Sequence, residues 1–172
     1  MELVWTDMEA ISLPSWVTRV PRRVGATPSS SSIGLSADEW RTFCTVHLST
    51  TLCYAWGQKD PVSREYALLS NFMDLIKAVK LALMRFTTTG RQEKCRESLF
   101  SYLSGILKLF PGTTIQSNQH LAAHVPDILA RAGPSPGWSA WGLERCLGQL
   151  QKFNTNNQIG IVGPQLYVYP IY

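Results

Sequence analysis

The stretch that decides the fold reads LSADEWRTFCTVHLSTTLCYAW over residues 35–56. It opens with a capping box, in which the Ser36 hydroxyl accepts from the Glu39 N–H and the Glu39 carboxylate accepts from the Ser36 N–H. Apolar and weakly polar side chains then recur three or four positions apart, which is the spacing of one face of an α-helix. The pattern predicts a first helix over 37–56 that ends at Gly57.

The same kinds of signal predict four further helices downstream. Asp60-Pro61 supplies an N-cap and a first-turn proline for the second helix, and Pro111-Gly112 closes the third. Pro126 lies inside the fourth apolar pattern, so a break is expected near Val125. The predicted ranges are about 61–86, 91–109, 116–133 and 138–153.

The two ends of the chain differ in character from this helical middle. Pro14, Pro21 and Pro28 and the serine run 29–32 predict an irregular N-terminal strap, residues 1–35, in which residues 13–17 are an apolar island. Residues 154–172 predict a short irregular or β-like tail. The expected fold class is therefore all-α, with about five helices in an orthogonal or bundle-like core over residues 36–153.

Composition narrows the function classes. The chain has 172 residues, 45% of them hydrophobic, and a formal net charge of +4, which permits nucleic-acid contact without requiring it. The four cysteines form no C-x-x-C pair, so a zinc ribbon is unsupported. The first residues lack the pattern of an export signal, and no apolar run approaches the ~18 residues of a membrane span. We expect an intracellular protein with no membrane partner, and find no P-loop, G-x-S-x-G or H-E-x-x-H motif.

Two groups of residues are candidates for chemistry. His120 and His124 lie four apart on one helical face, so they suit a metal ion or a phosphate as well as simple packing between helices. On a helix, Glu144 shares a face with Trp141, where a carboxylate needs a partner. That partner is either a hard cation such as Mg²⁺ or a neighbouring Arg or Lys at the surface.

The residues around and after Glu144 offer a weaker signal for DNA contact. Arg145 and Lys152 are basic, and Asn154 and Asn156 suit phosphate or sugar contacts. The sequence does not determine which helix faces the first pair occupies, and the alternative for the second pair is a helix-terminating loop.

Several short motifs occur in order between about residues 7 and 158. They are Leu13-Pro-Ser-Trp16, Leu35-Ser-Ala-Asp-Glu-Trp40, Thr42-Phe-Cys-Thr-Val-His-Leu48, Leu109-Phe-Pro111, Asn118-x-His120 to His124, Gly133-Pro134, Trp141-x-x-Glu144-Arg145 and Leu147-Gly-x-Leu150 to Asn154-Thr-Asn156. The ordered set resembles the carboxy-terminal region of fungal transposon-encoded proteins of the CACTA (En/Spm-like) type, related to the Kyakuja–Dileera–Zisupton group. Each motif is unspecific alone, whereas the order is much more specific.

The resemblance implies a DDE-type transposase with a ribonuclease-H-like nuclease, in which two Asp and one Glu hold two Mg²⁺ ions. Glu144 would be the third carboxylate, and the helices before it a helical insertion in that nuclease. His120, His124, Arg145, Lys152, Asn154 and Asn156 would contact DNA or support the fold. The strand-rich core with both Asp residues has no counterpart here, because all five aspartates lie in predicted helices or loops. We therefore expect a transposase-derived fragment without cleaving activity as an isolated chain.

The expected partners are DNA and either the missing catalytic core or another transposase chain, in the nucleus. A second hypothesis is a helical protein-interaction module without nucleic-acid activity, in which the six tryptophans form a protein interface. A third is a metal-dependent hydrolase that uses His120, His124 and Glu144, for which stoichiometric zinc after purification would be the sign.

Overall fold

A computed structural model describes residues 1–22, 24–25 and 34–139. Over these residues the chain is helical and forms no strand, which confirms the all-α prediction. The elements in chain order are α1 (Glu2–Ala10), α2 (Ala37–Thr42), a π-helical segment (Phe43–Leu48), α3 (Ser49–Trp56), α4 (Arg64–Ala82), α5 (Thr89–Leu109), α6 (Ser117–Ala123), α7 (Val125–Ala132) and a 3-10 turn (Ser135–Gly137). The elements from α2 to α7 are called the helical body below.

The chain divides into two compact units, Met1–Gly137 and Trp138–Tyr172, and all the contacts given below lie within the first. The predicted fifth helix, 138–153, lies outside the described residues except for its first two positions. The predicted tail, 154–172, lies wholly outside them.

The first predicted helix, 37–56, is helical throughout, although not uniformly α-helical. Both bonds of its capping box are present: the Glu39 N–H donates to Ser36 Oγ at 3.3 Å, and the Ser36 N–H donates to Glu39 Oε2 at 2.7 Å. The middle is the π-helical segment Phe43–Leu48, which periodicity did not predict. A π turn contains more residues than an α turn and so shifts the side chains that follow it around the helix axis.

The α4–α5 hairpin is the centre of the helical body. Its two helices run antiparallel, because the Asn71 side chain donates to the Tyr102 carbonyl at 2.9 Å and Ala78 packs near Cys95. The second helix, predicted over 61–86, is shorter: Ser63 is its N-cap and accepts from the Tyr66 N–H at 3.2 Å. Pro61 lies in the preceding turn, which the Asp60 side chain stabilises by accepting from the Val62 N–H.

The core of the hairpin is completed by α7. Leu129 is 1% exposed and packs in one cluster with Ala78, Cys95, Leu99 and Leu103. Helix α7 runs antiparallel to α5. Gln92 Nε2 donates to the Leu129 carbonyl, and Arg96, one turn later in α5, binds Asp127, which comes earlier in α7, at 2.6 Å. This ion pair holds the pKa of the Asp127 carboxyl below its ordinary value, chiefly through the hydrogen bond from Arg96.

The predicted break in the fourth helix is confirmed. Helix α6 ends at Ala123, His124 is a turn residue, and α7 begins at Val125. Pro126 is tolerated because it occupies the first turn of α7, where its missing N–H would have had no helical partner. Gly133 ends α7 with φ 78°, a backbone conformation that residues with a Cβ rarely adopt.

The N-terminal strap contains one helix that its sequence pattern did not predict. Helix α1 occupies Glu2–Ala10, and the chain is irregular from Ile11 onward over the described part of the strap. The prolines exclude helix only from Pro14 on. Val4 is buried, Trp5 Nε1 donates to the Val24 carbonyl at 3.1 Å, and α1 packs on the π-helical segment and α3. Tertiary contacts thus stabilise a helix too short to persist alone.

Candidate functional site

The histidine pair predicted from sequence lies at the corner between α6 and α7. His120 and His124 are both exposed, and their rings meet edge to face with centroids 5.1 Å apart. Over residues 1–22, 24–25 and 34–139, no group of three or more His, Cys, Asp and Glu is arranged to hold a metal ion. A zinc site needs a third protein ligand, so within this part of the chain the pair is a surface contact between two side chains.

The other predicted site residues lie outside the described part of the chain. They are Glu144, Arg145, Lys152, Asn154 and Asn156. Their roles as a magnesium ligand or as DNA contacts therefore stay predictions.

All five aspartates are described, and each lies in a helix or a loop as the sequence predicts. Four of them bind neighbouring groups. Asp38 and Asp127 form ion pairs with Arg41 and Arg96. Asp60 caps a turn, and Asp74 accepts a hydrogen bond from Ser101 Oγ at 2.6 Å. Asp7 lies in α1, away from any strand. None belongs to a group of three or more His, Cys, Asp and Glu residues that could hold a metal ion over the described ranges.

An open groove lies between the strap and the helical body. Its volume is about 370 Å³. The strap, the α2–π junction and the end of α4 line it, with Trp16, Val17, Arg41, Thr42, Thr45, Val46, Val79, Lys80 and Leu83. The groove was not predicted from the sequence, because its three walls are far apart in the chain.

The strap is anchored beside this groove by a chain of polar contacts. The Thr18 hydroxyl donates to Asp38 Oδ2, and the other oxygen of Asp38 pairs with Arg41 Nη2 at 2.5 Å. The Val17 N–H donates to the Pro14 carbonyl at 3.0 Å and closes a turn. Trp16 is thereby held at the rim of the groove, where 84% of it is exposed.

The groove is lined by positive charge, which Asp38 beside it offsets in part by pairing with Arg41. Its lining contains two cations, Arg41 and Lys80, and no acidic residue. The strap adds exposed Arg19 and Arg22, and residues 11–22 contain no acid.

Two of the three described cysteines are poorly suited to act as nucleophiles. Burial raises the pKa of the Cys44 and Cys95 thiols, which disfavours the reactive thiolate. Cys53 is exposed, with its sulfur 4.0 Å from the Met73 sulfur.

One buried histidine lies in the π-helical segment. His47 is 3% exposed, and its Nδ1 has no hydrogen-bond partner among the described residues. Burial lowers the pKa of the imidazole from its ordinary value of 6.5. The folded chain therefore holds this ring neutral where the unfolded chain protonates it.

This burial predicts that acid weakens the fold. Above about pH 6.5 the ring is neutral in both states, so it contributes no pH dependence; as pH falls below that value the unfolded chain gains the proton first, and stability drops by at most about 1.4 kcal/mol per pH unit. Urea unfolding of the wild type and of His47→Gln between about pH 7 and 5.5 measures this loss of stability. The range lies above the pH at which most carboxyl groups titrate.

We expect a flatter pH profile for His47→Gln than for the wild type. Equal slopes for the wild type and His47→Gln would contradict the assignment to His47.

No helix over the described ranges combines the length and the apolar character that crossing a membrane requires. Comparison with protein-family models, with curated proteins and with solved structures finds no match to this chain. The sequence motifs and the geometry above are therefore the grounds for a function.

Proposed function

We propose that this chain is a DNA-contacting helical module related to CACTA-type transposases, without strand-cleaving activity of its own. The ordered set of motifs along residues 7–158 carries the proposal. Some of these motifs define the helical body: the Ser36–Glu39 box begins α2, Pro111 follows α5, and Gly133 ends α7. Motifs at helix ends are consistent with a family that shares this body.

The distribution of charge supports the DNA contact. Phosphate contacts from Lys and Arg supply most of the affinity of a sequence-independent DNA binder. The strap offers Arg19 and Arg22, and the adjoining groove offers Arg41 and Lys80 with no acid in its lining. The formal net charge of +4 adds a general attraction.

The positions of the carboxylates support the absence of cleavage. Two-metal cutting of a phosphodiester needs several carboxylates that converge on the metals. The aspartates are dispersed over α1, α2, α4, α7 and a turn, and four of them already bind neighbouring groups. The described residues do not fit a two-magnesium centre, so no step of that reaction is assigned to them.

A nicking assay tests the catalytic half of the proposal. Purified chain is incubated with supercoiled plasmid and Mg²⁺, next to Glu144→Gln, which removes the candidate third carboxylate. We expect no more nicking by the wild type than by the variant. Robust Mg²⁺-dependent nicking that Glu144→Gln abolishes would contradict the proposal.

The proposal extends to partner and location. A module of this kind acts in the nucleus, next to a catalytic core or another transposase chain that supplies the remaining carboxylates. Co-purification of the full chain with such a partner, resistant to nuclease treatment, tests for a direct protein contact.

The second candidate is a helical protein-interaction module. Large apolar side chains outside the groove favour it: Tyr54 is 83% exposed, Val62 92% and Phe86 65%. Exposed apolar groups of this size suit a protein interface when they are contiguous. Such a module would bind its partner with little dependence on salt and have no affinity for duplex DNA, which is the opposite of the first proposal.

A further inference from the structure

We infer that the groove beside the strap receives one unpaired nucleotide, whose base stacks on Trp16 and whose phosphate contacts Arg41 and Lys80. The inference rests on the proposed DNA contact and specifies which form of DNA the surface selects. It follows from the exposure and anchoring of Trp16, from the size of the groove and from its charge.

The backbone that presents Trp16 is anchored. Trp16 is 84% exposed, although the strap on both sides of it is tied down: the Val17 N–H bonds to Pro14, and the Thr18 hydroxyl bonds to Asp38. A large exposed ring on an anchored backbone can bind a flat ligand without the entropy cost of ordering that backbone. Stacking of bases on aromatic side chains is the usual means of holding single-stranded nucleic acid.

The groove selects an unpaired base over a paired one. Bases inside a duplex are stacked on one another and offer only their edges, so an aromatic ring reaches the face of a base most easily where pairing has opened or the duplex ends. A volume of about 370 Å³ is at the lower end of small-ligand sites, which favours a single nucleotide over a double helix.

The charges select a nucleotide over an apolar ligand. Arg41 and Lys80 stand on α2 and α4, on two walls of the groove, and no acid lines it. Asp38 occupies Nη2 of Arg41, which leaves other N–H donors of the guanidinium for a phosphate. An acidic peptide would meet the same cations, but its side chains lack a flat aromatic face for Trp16 unless it also carries an aromatic residue.

Binding to three labelled DNA probes tests the inference with the full chain. The probes are a blunt duplex, the same duplex with a single-stranded thymidine overhang, and the thymidine strand alone, each measured by fluorescence anisotropy. We expect tighter binding to the overhang duplex than to the blunt one. Trp16→Ala should weaken binding to the overhang probe by roughly 5- to 150-fold, the equivalent of one stacked base, and Trp16→Phe should weaken it less.

Tyr54→Ala is the matched control, because Tyr54 is equally exposed but lies on α3, outside the groove lining. It should leave the preference for the overhang intact. Blunt-duplex binding without any overhang preference, or a preference that survives Trp16→Ala, would overturn the inference and leave the proposed function standing. Failure to bind all three probes would overturn both.

Discussion

Replacing Leu129 by alanine is expected to lower the free energy of unfolding by about 2–5 kcal/mol, the range for large-to-small changes in a closed core. Leu129 is 1% exposed and is the residue through which α7 joins the α4–α5 core cluster. Its removal leaves a cavity between three helices, and the backbone of α7 is fixed there by the bond from Gln92 to the Leu129 carbonyl. Urea unfolding followed by circular dichroism measures the change.

Leu121→Ala is the control for this prediction. Leu121 lies on the neighbouring helix α6 and is 63% exposed, so its truncation should change stability by less than about 0.5 kcal/mol. If the two substitutions lower the free energy of unfolding by similar amounts, α7 is not packed into the core as described.

Gly105→Ala is expected to lower the free energy of unfolding by about 1–3 kcal/mol. A Cβ at this position would collide with the Asn71 side chain, lying 2.8 Å from its Cγ and closer still to Nδ2. Asn71 cannot simply turn aside, because Nδ2 donates to the Tyr102 carbonyl and ties α4 to α5. The close approach of these two helices therefore depends on glycine.

Gly90→Ala on the same helix separates this clash from helix propensity. A Cβ there meets nothing within 4 Å, so alanine should stabilise the chain by about 0.4–1 kcal/mol through the reduced entropy of the unfolded state. In chemical unfolding, we expect Gly105→Ala to lower the free energy of unfolding and Gly90→Ala to raise it. A stabilising Gly105→Ala would show that α4 and α5 are further apart than described.

Local signals in the sequence were sufficient to predict much of the helical body. The Ser36–Glu39 box and Pro126 act within one helical turn, so the start of α2 and the break before α7 are correctly predicted. Two capping signals competed before α4, where Asp60-Pro61 suggested an earlier start than Ser63, the residue that caps the helix. Helix α1 depends on packing of Val4 against distant residues, which no local pattern reveals.

The groove could not be predicted from the sequence for a related reason. Trp16, Arg41 and Lys80 come from three segments that tertiary folding brings together. The π-helical turn at Phe43–Leu48 also shifts the residues after it around the axis, so a uniform helix would place their side chains wrongly. His120 and His124 were placed correctly on one face because four residues span about one turn of α-helix.

The salt dependence of duplex-DNA binding by the full chain tests the central claim most directly. Contacts from Arg19 and Arg22 to one phosphate each, and from Arg41 and Lys80 to a third, predict a slope of log affinity against log salt of about −2.5 to −3, or roughly a 30- to 60-fold loss between about 50 and 200 mM salt. Measurable binding at low salt with such a slope is the result expected of a DNA-contacting module. No binding at low salt, or an affinity that salt leaves unchanged, would contradict it.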